Sequence, residues 1–267
     1  MITFTKRASN VPVPSPAQAE HDSSTEYAAL LTMVDALAPA DWHRPTDCTA
    51  WRVRDLVAHL AGAAEEASRT GVALRHQYAG LSGALRSRGE RNWVDFVGDA
   101  QIAERADLDE SALGADLRHW AERAPAGRRH QPRVMRVMRM PRVAGLRPGA
   151  TGAYLYDVIY NRDTWLHRID LHRATGIPLP ESGAEAAIIA QVVRDLDLGW
   201  RGPSFILELT GRGGGCWAIG AGEPVATVTE DATALMRLLS GRSDECALVT
   251  EGDPAPAAGL RTARVVF

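Results

Sequence analysis

Apolar side chains recur at helical spacing over the N-terminal two thirds of the chain. This pattern predicts helices at about residues 21–37, 51–69, 152–176 and 185–200, and one or two more within 92–124. Long loops separate the predicted helical regions between residues 21 and 176. We therefore expect a helical bundle with long connections.

The pattern changes from about residue 204 onward, where apolar and polar residues alternate and glycines interrupt the runs. It predicts strands at 205–211, 216–220, 223–230 and 262–267, and a short helix at 231–241. We thus expect an α + α/β two-part chain. Its predicted parts are a disordered leader at 1–19, a helical bundle at 20–180 and a small α+β domain with its linking helix at 181–267.

Four ionisable residues lie close together in the segment RDTWLHRIDLHRATG: Asp163, His167, Asp170 and His172. A helix turns about 100° per residue, which brings the first three onto one arc and directs His172 away. The arc is also the apolar one, whereas Asp157, Asn161, Thr164, Arg168 and His172 fall on an arc that we expect to face solvent. Burying Asp163 and His167 is costly unless they pair with each other or bind a metal, and the spacing alone does not decide between these.

A third candidate ligand, His59, lies on a different predicted helix, in the segment DLVAHL. Facing helices of a bundle can combine one such histidine with an i, i+4 pair on a second helix. Asp55 and Glu66 are competing partners, because both lie near the same face as His59. A hydrogen-bonded histidine therefore remains an alternative to a metal ligand.

Composition excludes several classes of protein. With 267 residues, 45% of them hydrophobic, and a net charge of −3, the chain gives no sign of binding nucleic acid or an anionic membrane. It carries no apolar run long enough to span a bilayer and no signal peptide, so we expect a cytoplasmic protein. Its three cysteines form no CxxC motif, which argues against a disulfide framework and a thiolate zinc site.

The basic residues are strongly biased toward arginine, since Lys6 is the sole lysine among 30 Lys and Arg residues. This bias is typical of high-GC bacteria such as actinomycetes, and it makes arginine weak evidence of function. Residues 128–148 contain seven arginines and no acid. Because they lack aromatics for base stacking and contain prolines, we expect a solvated or substrate-flanking loop.

Three stretches carry a resemblance to a known family. The first is LTMVDALAPADWHRPTDCTAWRVRDLVAHLAG, the second is the carboxylate, histidine, Asp-Leu and Ala-Thr-Gly pattern that starts at Asp163, and the third is WAIGAGEPVATVTEDATALMRLLSGR. Together they resemble the mycothiol-dependent maleylpyruvate isomerase family. That resemblance implies a DinB-like four-helix bundle followed by a small α+β domain similar to sterol carrier proteins.

The resemblance also implies a site. By position, His59, Asp163 and His167 would bind a divalent metal, most often zinc, with mycothiol as thiol cosubstrate, and a C-terminal arginine would assist catalysis. Arg242 is the candidate for that arginine, with Arg212 as its competitor. Asp163 stands where the family's isomerase is expected to have glutamate, which bears on the identity of the reaction.

Two reactions fit these expectations: cis–trans isomerisation of a small electrophile, and transfer of mycothiol to it. A non-catalytic bundle that binds a small ligand or partner is the alternative, and hydrolysis by metal-activated water is a third possibility. We expect a monomer or a homodimer whose partners are mycothiol and a small electrophile, with neither nucleic acid nor membrane involved.

Overall fold

The computed structural model describes residues 6–88, 90–140, 149–243 and 245–267. The chain divides into two compact units. The larger comprises Pro14–Met138 and Thr151–Ser182, and the smaller comprises Gly183–Phe267 with residues 6–13, 139–140 and 149–150. The expected order, a helical bundle and then a small α+β unit, is confirmed.

The larger unit is built mainly from helices and the loops that join them. Its helices are α1 (Pro16–Asp35), α2 (Val53–Ser68), α3 (Thr70–Arg86), α4 (Trp93–Ala103), α5 (Glu110–Ala121), α6 (Ala124–Arg129), α7 (Arg133–Val137), α8 (Gly152–Tyr154) and α9 (Tyr160–Thr175). A π-helical segment, Leu155–Ile159, joins α8 to α9. Helix α2 lies at the centre and packs against α4, α5, α6 and α9.

Local sequence signals explain where these helices begin and end. Ser15 accepts a hydrogen bond from the Gln18 amide and caps α1, while Asp55 accepts one from the Arg52 amide at the start of α2. Gly176 ends α9 with a positive φ of 77°, a conformation that favours glycine. Leucine, valine and alanine side chains of α2 are fully buried and form the centre of the core.

Two helical predictions need correction. The sequence analysis missed α3, although Leu74, Tyr78, Leu81 and Leu85 recur at helical spacing; in the structure the side chains of all four are exposed. The segment 128–148 is not simply a solvated loop, because α6 and α7 occupy part of it and Arg128 is buried. Residues 141–148 of that segment lie outside the described residues.

The smaller unit contains α10 (Glu185–Gly199), α11 (Ala232–Ser240) and α12 (Ala255–Thr262). Its strands, among the described residues, are β1 (Lys6–Arg7), β2 (Phe205–Thr210), β3 (Gly215–Ile219), β4 (Ala226–Asp231) and β5 (Val249–Gly252), in the sheet order β1-β3-β2-β4-β5. The pairs β1–β3 and β2–β4 are parallel, and β2–β3 and β4–β5 are antiparallel. The predicted closing strand at 262–267 is wrong, because α12 extends to Thr262 and no strand follows.

The expectation of a disordered leader is also wrong for residues 6–19. β1 pairs with β3, and Asp197 of α10 accepts hydrogen bonds from the Ser9 amide at 2.8 Å and the Arg7 Nε at 3.3 Å. Helix α1 begins at Pro16, a residue type that suits the first turn of a helix. In the part of the chain that the structure describes, no helix has the length and apolar character needed to cross a membrane.

Candidate metal centre

Helix α9 carries two of the three candidate ligands on one face. Asp163 and His167 are four residues apart, and the His167 Nε2 lies 3.3 Å from the Asp163 Oδ1. This is the juxtaposition that the helical spacing predicts. The His167 side chain is only 4% exposed, whereas that of Asp163 keeps 19% of its surface accessible.

Helix α2 supplies the third candidate. The His59 Nε2 lies 3.4 Å from the Asp163 Oδ2, and its side chain is 13% exposed. One donor atom from each of His59, Asp163 and His167 falls within 4.8 Å of the others. The structure thus brings together all three residues that the resemblance singles out, and their donor set of two imidazoles and a carboxylate suits zinc or a similar divalent ion.

In each histidine the Nε2 is the inner nitrogen, which faces Asp163, and the Nδ1 is the outer one. The outer nitrogen has the shorter contact. The His167 Nδ1 lies 3.0 Å from the Asp170 Oδ2, and the His59 Nδ1 lies 2.8 Å from the Gln101 Oε1. Asp170 and Gln101 therefore each contact one of the two candidate ligand histidines. Such partners orient a ligating imidazole and leave its other nitrogen directed at the metal.

The charges of the three residues are strongly coupled. Burial raises the pKa of Asp163, but His167 and His59 outweigh burial and hold this pKa well below its ordinary value. Burial lowers the pKa of His167, yet the charge of Asp163 and hydrogen bonds with Asp163, Asp170 and Cys48 raise it well above its ordinary value. Both shifts favour the charged forms of Asp163 and His167 beside each other.

Two residues of the loop before α2 border the site. The Cys48 Sγ lies 3.5 Å from the Asp170 Oδ2 and 3.9 Å from the His167 Nδ1, so these three residues form a second group whose donors could meet an ion. The Trp51 ring lies 4.8 Å from the ring of His59 and 5.8 Å from that of His167, measured between centroids. The sequence analysis considered the cysteines only as parts of a CxxC motif or a disulfide, and it did not predict that Cys48 lies beside His167 and Asp170.

The opposite face of α9 differs from the expectation. Its residues were expected to face solvent, but Asp157, Asn161, Thr164 and Arg168 are all buried. Arg168 pairs with Glu26 of α1 at 2.6 Å, and other helices cover the remaining residues. The assignment of residues to arcs in the sequence analysis assumed that only one face of this helix is buried, whereas both faces of α9 are buried. It also lost its phase in the π-helical segment, which holds more residues per turn.

The remaining candidates fall outside the cluster. His172 is half-buried, and its Nδ1 lies 2.7 Å from the Ile177 carbonyl oxygen at the end of α9. The two competing partners of His59 are otherwise engaged, since Asp55 caps α2 and Glu66 contacts His59 through Gln101 only. Arg242 lies in the smaller unit, directly after α11, and its role stays a prediction.

Gln101 is the residue that sequence reasoning missed most clearly. It lies on α4, outside the three stretches that carry the family resemblance, and no spacing rule connects it with His59. The only local signal is Gly62 on α2, where a Cβ would lie 2.5 Å from the Gln101 Cβ. A glycine within a helix can mark such a close approach of another element.

Comparisons with known proteins bear on the family and the fold. The family described as the mycothiol maleylpyruvate isomerase N-terminal domain matches residues 24–172. A crystal structure of the mycothiol-dependent maleylpyruvate isomerase shares 17% identity at a TM-score of 0.54, and a histidine-to-alanine variant shares 16% at 0.53. Each comparison covers 90% of this chain and 95% of the other, and at this identity it shows a shared fold. No curated protein matches the chain.

Proposed function

The chain belongs to the mycothiol maleylpyruvate isomerase N-terminal domain family, and from this membership and the geometry of the site we propose that it is a divalent-metal-dependent enzyme. Its cosubstrate would be mycothiol. The reaction would be cis–trans isomerisation of a small electrophile or transfer of the thiol to it. His59, Asp163 and His167 would hold the ion.

One observation carries this proposal, the spacing of the inner donor atoms. Zinc bonds to nitrogen and oxygen are about 2.0–2.1 Å long, so two ligands of a tetrahedral site lie about 3.3–3.4 Å apart. The Asp163 Oδ1 lies 3.3 Å from the His167 Nε2 and 3.5 Å from the His59 Nε2, which is close to this separation. Good N–H to oxygen hydrogen bonds are shorter, about 2.9–3.0 Å, so the spacing fits a shared ion better than direct pairing.

Three protein ligands are typical of a catalytic site, because a structural site is usually closed by a fourth. Asp163 and His59 are the partly exposed members, which leaves a side of the site accessible to a small molecule. A bound divalent ion would favour the thiolate form of a coordinating thiol, which is the nucleophilic form. Of the protein groups, Asp170 and Gln101 hold the histidine rings in place, and Trp51 forms one wall.

Two outcomes are possible once a thiolate has added to an activated double bond. Rotation and elimination would return the thiol and isomerise a cis-enoate, whereas addition or displacement without elimination would give an S-conjugate. An anchor for the electrophile is needed in either case, and Arg242 is our candidate, since arginine binds carboxylates in a bidentate manner. Replacement of Arg242 by lysine should then raise the KM for a carboxylate-bearing electrophile without changing metal content.

A non-catalytic bundle remains the second candidate, favoured by the coupled pKa values of Asp163 and His167. An ion pair of this kind satisfies both residues without a metal. Metal analysis of the purified protein, combined with a mycothiol-conjugation assay on a panel of electrophiles, separates the two. We expect a stoichiometric divalent ion, which His59→Ala abolishes and replacement of the exposed His21 by alanine does not.

The opposite result is equally informative. If the protein holds no ion even after supplementation, the enzyme proposal is wrong and His59→Ala should only reduce stability. Turnover that needs the ion but no thiol would instead indicate hydrolysis by metal-activated water.

A further inference from the structure

The side chain of Gln101 lies between His59 and a second buried residue, Glu66. Its Oε1 is 2.8 Å from the His59 Nδ1, and its Nε2 donates to the Glu66 Oε2 at 2.9 Å. Gln101 and Glu66 are each 2% exposed. A buried amide in this position has no water to replace either partner, so its orientation depends on these two contacts.

Glu66 determines which way the amide of Gln101 faces. Besides Gln101, it accepts a hydrogen bond from the Gln77 Nε2 at 3.0 Å, and the His76 Nδ1 lies 3.1 Å from its Oε2. An ionised carboxylate only accepts hydrogen bonds, so the amide must present its NH₂ group to Glu66 and its oxygen to His59. An oxygen facing the His59 Nδ1 requires a proton on that nitrogen.

We infer that Gln101 and Glu66 are positioning residues that hold His59 as the tautomer protonated on Nδ1. The lone pair of the His59 Nε2 then points toward Asp163, where the ion of the proposed function would bind. The effect of the tautomer on metal binding rests on the proposed function, but the tautomer itself can be measured without any metal.

The alternative tautomer, with the proton on Nε2, explains why His59 needs positioning residues. Asp163 is the inner neighbour of His59, and its carboxylate can accept a proton carried on Nε2. A His59 with no outer acceptor would therefore place its proton between Nε2 and Asp163, where it blocks a metal ligand. His167 faces a carboxylate, that of Asp170, on its Nδ1, whereas His59 faces a neutral amide whose direction must be fixed by Glu66.

The packing of α2 against α4 agrees with this role. A Cβ at Gly62 of α2 would lie 2.5 Å from the Gln101 Cβ, and a Cβ at Gly98 of α4 would lie 3.1 Å from the Trp51 ring. Both glycines let α4 approach closely enough for the Gln101 amide to contact the ring of His59. Gly62→Ala should consequently displace Gln101 without removing any polar group.

The first experiment measures the tautomer in metal-free protein. Spectra of ¹⁵N-histidine-labelled protein, at a pH where His59 is neutral, should show Nδ1–H in the wild type and a shift toward Nε2–H in Gln101→Leu. The matched control is Gln131→Leu, which removes another buried glutamine that contacts the Ala67 carbonyl and Thr70. This control should leave the His59 tautomer unchanged.

The second experiment measures zinc affinity by competition with a chelator. Gln101→Leu should weaken it by about 10- to 100-fold, the usual effect of removing a partner of a metal-bound histidine. Glu66→Gln should weaken it too, because the amide of Gln101 is then free to turn. The double variant Glu66→Gln with Gln101→Glu keeps an acceptor facing the His59 Nδ1 and places an amide donor at position 66 to hold that acceptor, so it should recover the affinity that Glu66→Gln loses.

The outcomes separate this inference from the proposed function. A wild-type His59 protonated on Nε2, or a Gln101→Leu variant with wild-type tautomer and affinity, overturns the inference. The wild type could also bind no zinc while Gln101→Leu still shifts the tautomer of His59. That result would support the positioning role and contradict the metal-dependent function. If Gln101→Leu does not fold, the recovery in the double variant provides the same test.

Discussion

The two faces of α9 are both polar and buried, yet they are built differently. On the face toward α1, Arg168 and Glu26 meet at 2.6 Å, and the Asn161 Oδ1 accepts a hydrogen bond from Arg128 at 2.8 Å. On the site face, the carboxylate oxygens of Asp163 lie 3.3–3.5 Å from the Nε2 atoms of His59 and His167. The first face is held by short contacts with protein partners, whereas the carboxylate and the two imidazoles of the second lie farther apart.

This difference shows that polar burial on its own does not identify a functional site. A buried polar group needs partners for stability, and close protein partners on every side leave no room for a ligand. On the site face the short contacts lie behind the histidines, at Gln101 and Asp170, and the long ones lie between the candidate ligands. We therefore regard the position of the short contacts as the informative feature.

The largest effect is expected from breaking the Arg168–Glu26 pair on the face of α9 toward α1, which we call the closed face. Glu26→Gln leaves the buried charge of Arg168 uncompensated, which should lower the free energy of unfolding by about 3–5 kcal/mol. The control is Glu20→Gln, which removes the exposed partner of Arg129 and should cost no more than about 1 kcal/mol. Denaturant unfolding of the metal-free proteins measures both. Equal losses would show that the closed face contributes no more than a surface pair.

The second prediction concerns stabilisation by zinc. Free zinc at 100 times its Kd should stabilise the wild type by about 2.7 kcal/mol, because only the folded protein offers the three ligands together. Glu26→Gln should keep this increment although it is less stable, while His59→Ala should lose it. Unfolding curves with and without zinc provide the measurement, and an increment that survives in His59→Ala would contradict the ligand set.

The third prediction tests the short contact behind His167. Asp170→Asn replaces a charged acceptor with a neutral one and should weaken zinc affinity by about tenfold, the lower end of the range for such partners. That loss corresponds to about 1.4 kcal/mol. The control is Asp157→Asn on the other face, where Asp157 pairs with Arg136 at 2.5 Å. It should cost stability and leave zinc affinity unchanged, so a similar loss of affinity in both variants would remove the distinction between the faces.

The sequence alone predicts much of this site and less of its surroundings. Asp163 and His167 share a face because of helical periodicity, which holds through α9. His59 could be added only by resemblance, since α2 and α9 meet through tertiary packing that no local pattern encodes. Gln101 and Cys48 could not be predicted, because their contacts depend on how closely α4 and the loop before α2 approach the site.

The errors in the fold have the same origin. Arg168 was expected on a solvent-facing arc because arginine is usually exposed, but Glu26 on α1 pairs with it and makes its burial possible. Residues 6–19 were expected to be disordered because they are rich in proline, yet β1 gains its order from β3, more than 200 residues later in the chain. Local composition carries no information about either partner.

The smallest expected effect concerns His76, at the far end of the hydrogen-bonded chain that starts at His59. Burial lowers the pKa of His76, but hydrogen bonds and charge from Glu66 and Glu104 raise it above its ordinary value. A raised folded pKa means that the folded protein holds this proton more tightly than the unfolded chain. The stabilisation is fully present below about pH 6.5, the ordinary value for histidine, and is lost as the pH rises through the folded pKa.

Replacement of His76 by glutamine, which does not titrate, isolates this contribution. Unfolding of the metal-free wild type and His76→Gln should be measured from pH 6 upward, with a chelator present. The difference between their free energies of unfolding should shrink as the pH rises, because the charged contacts with Glu66 and Glu104 disappear from the wild type. Since His167 titrates in both proteins, its contribution cancels. A difference independent of pH would mean that His76 contributes to stability by packing and not through its charge.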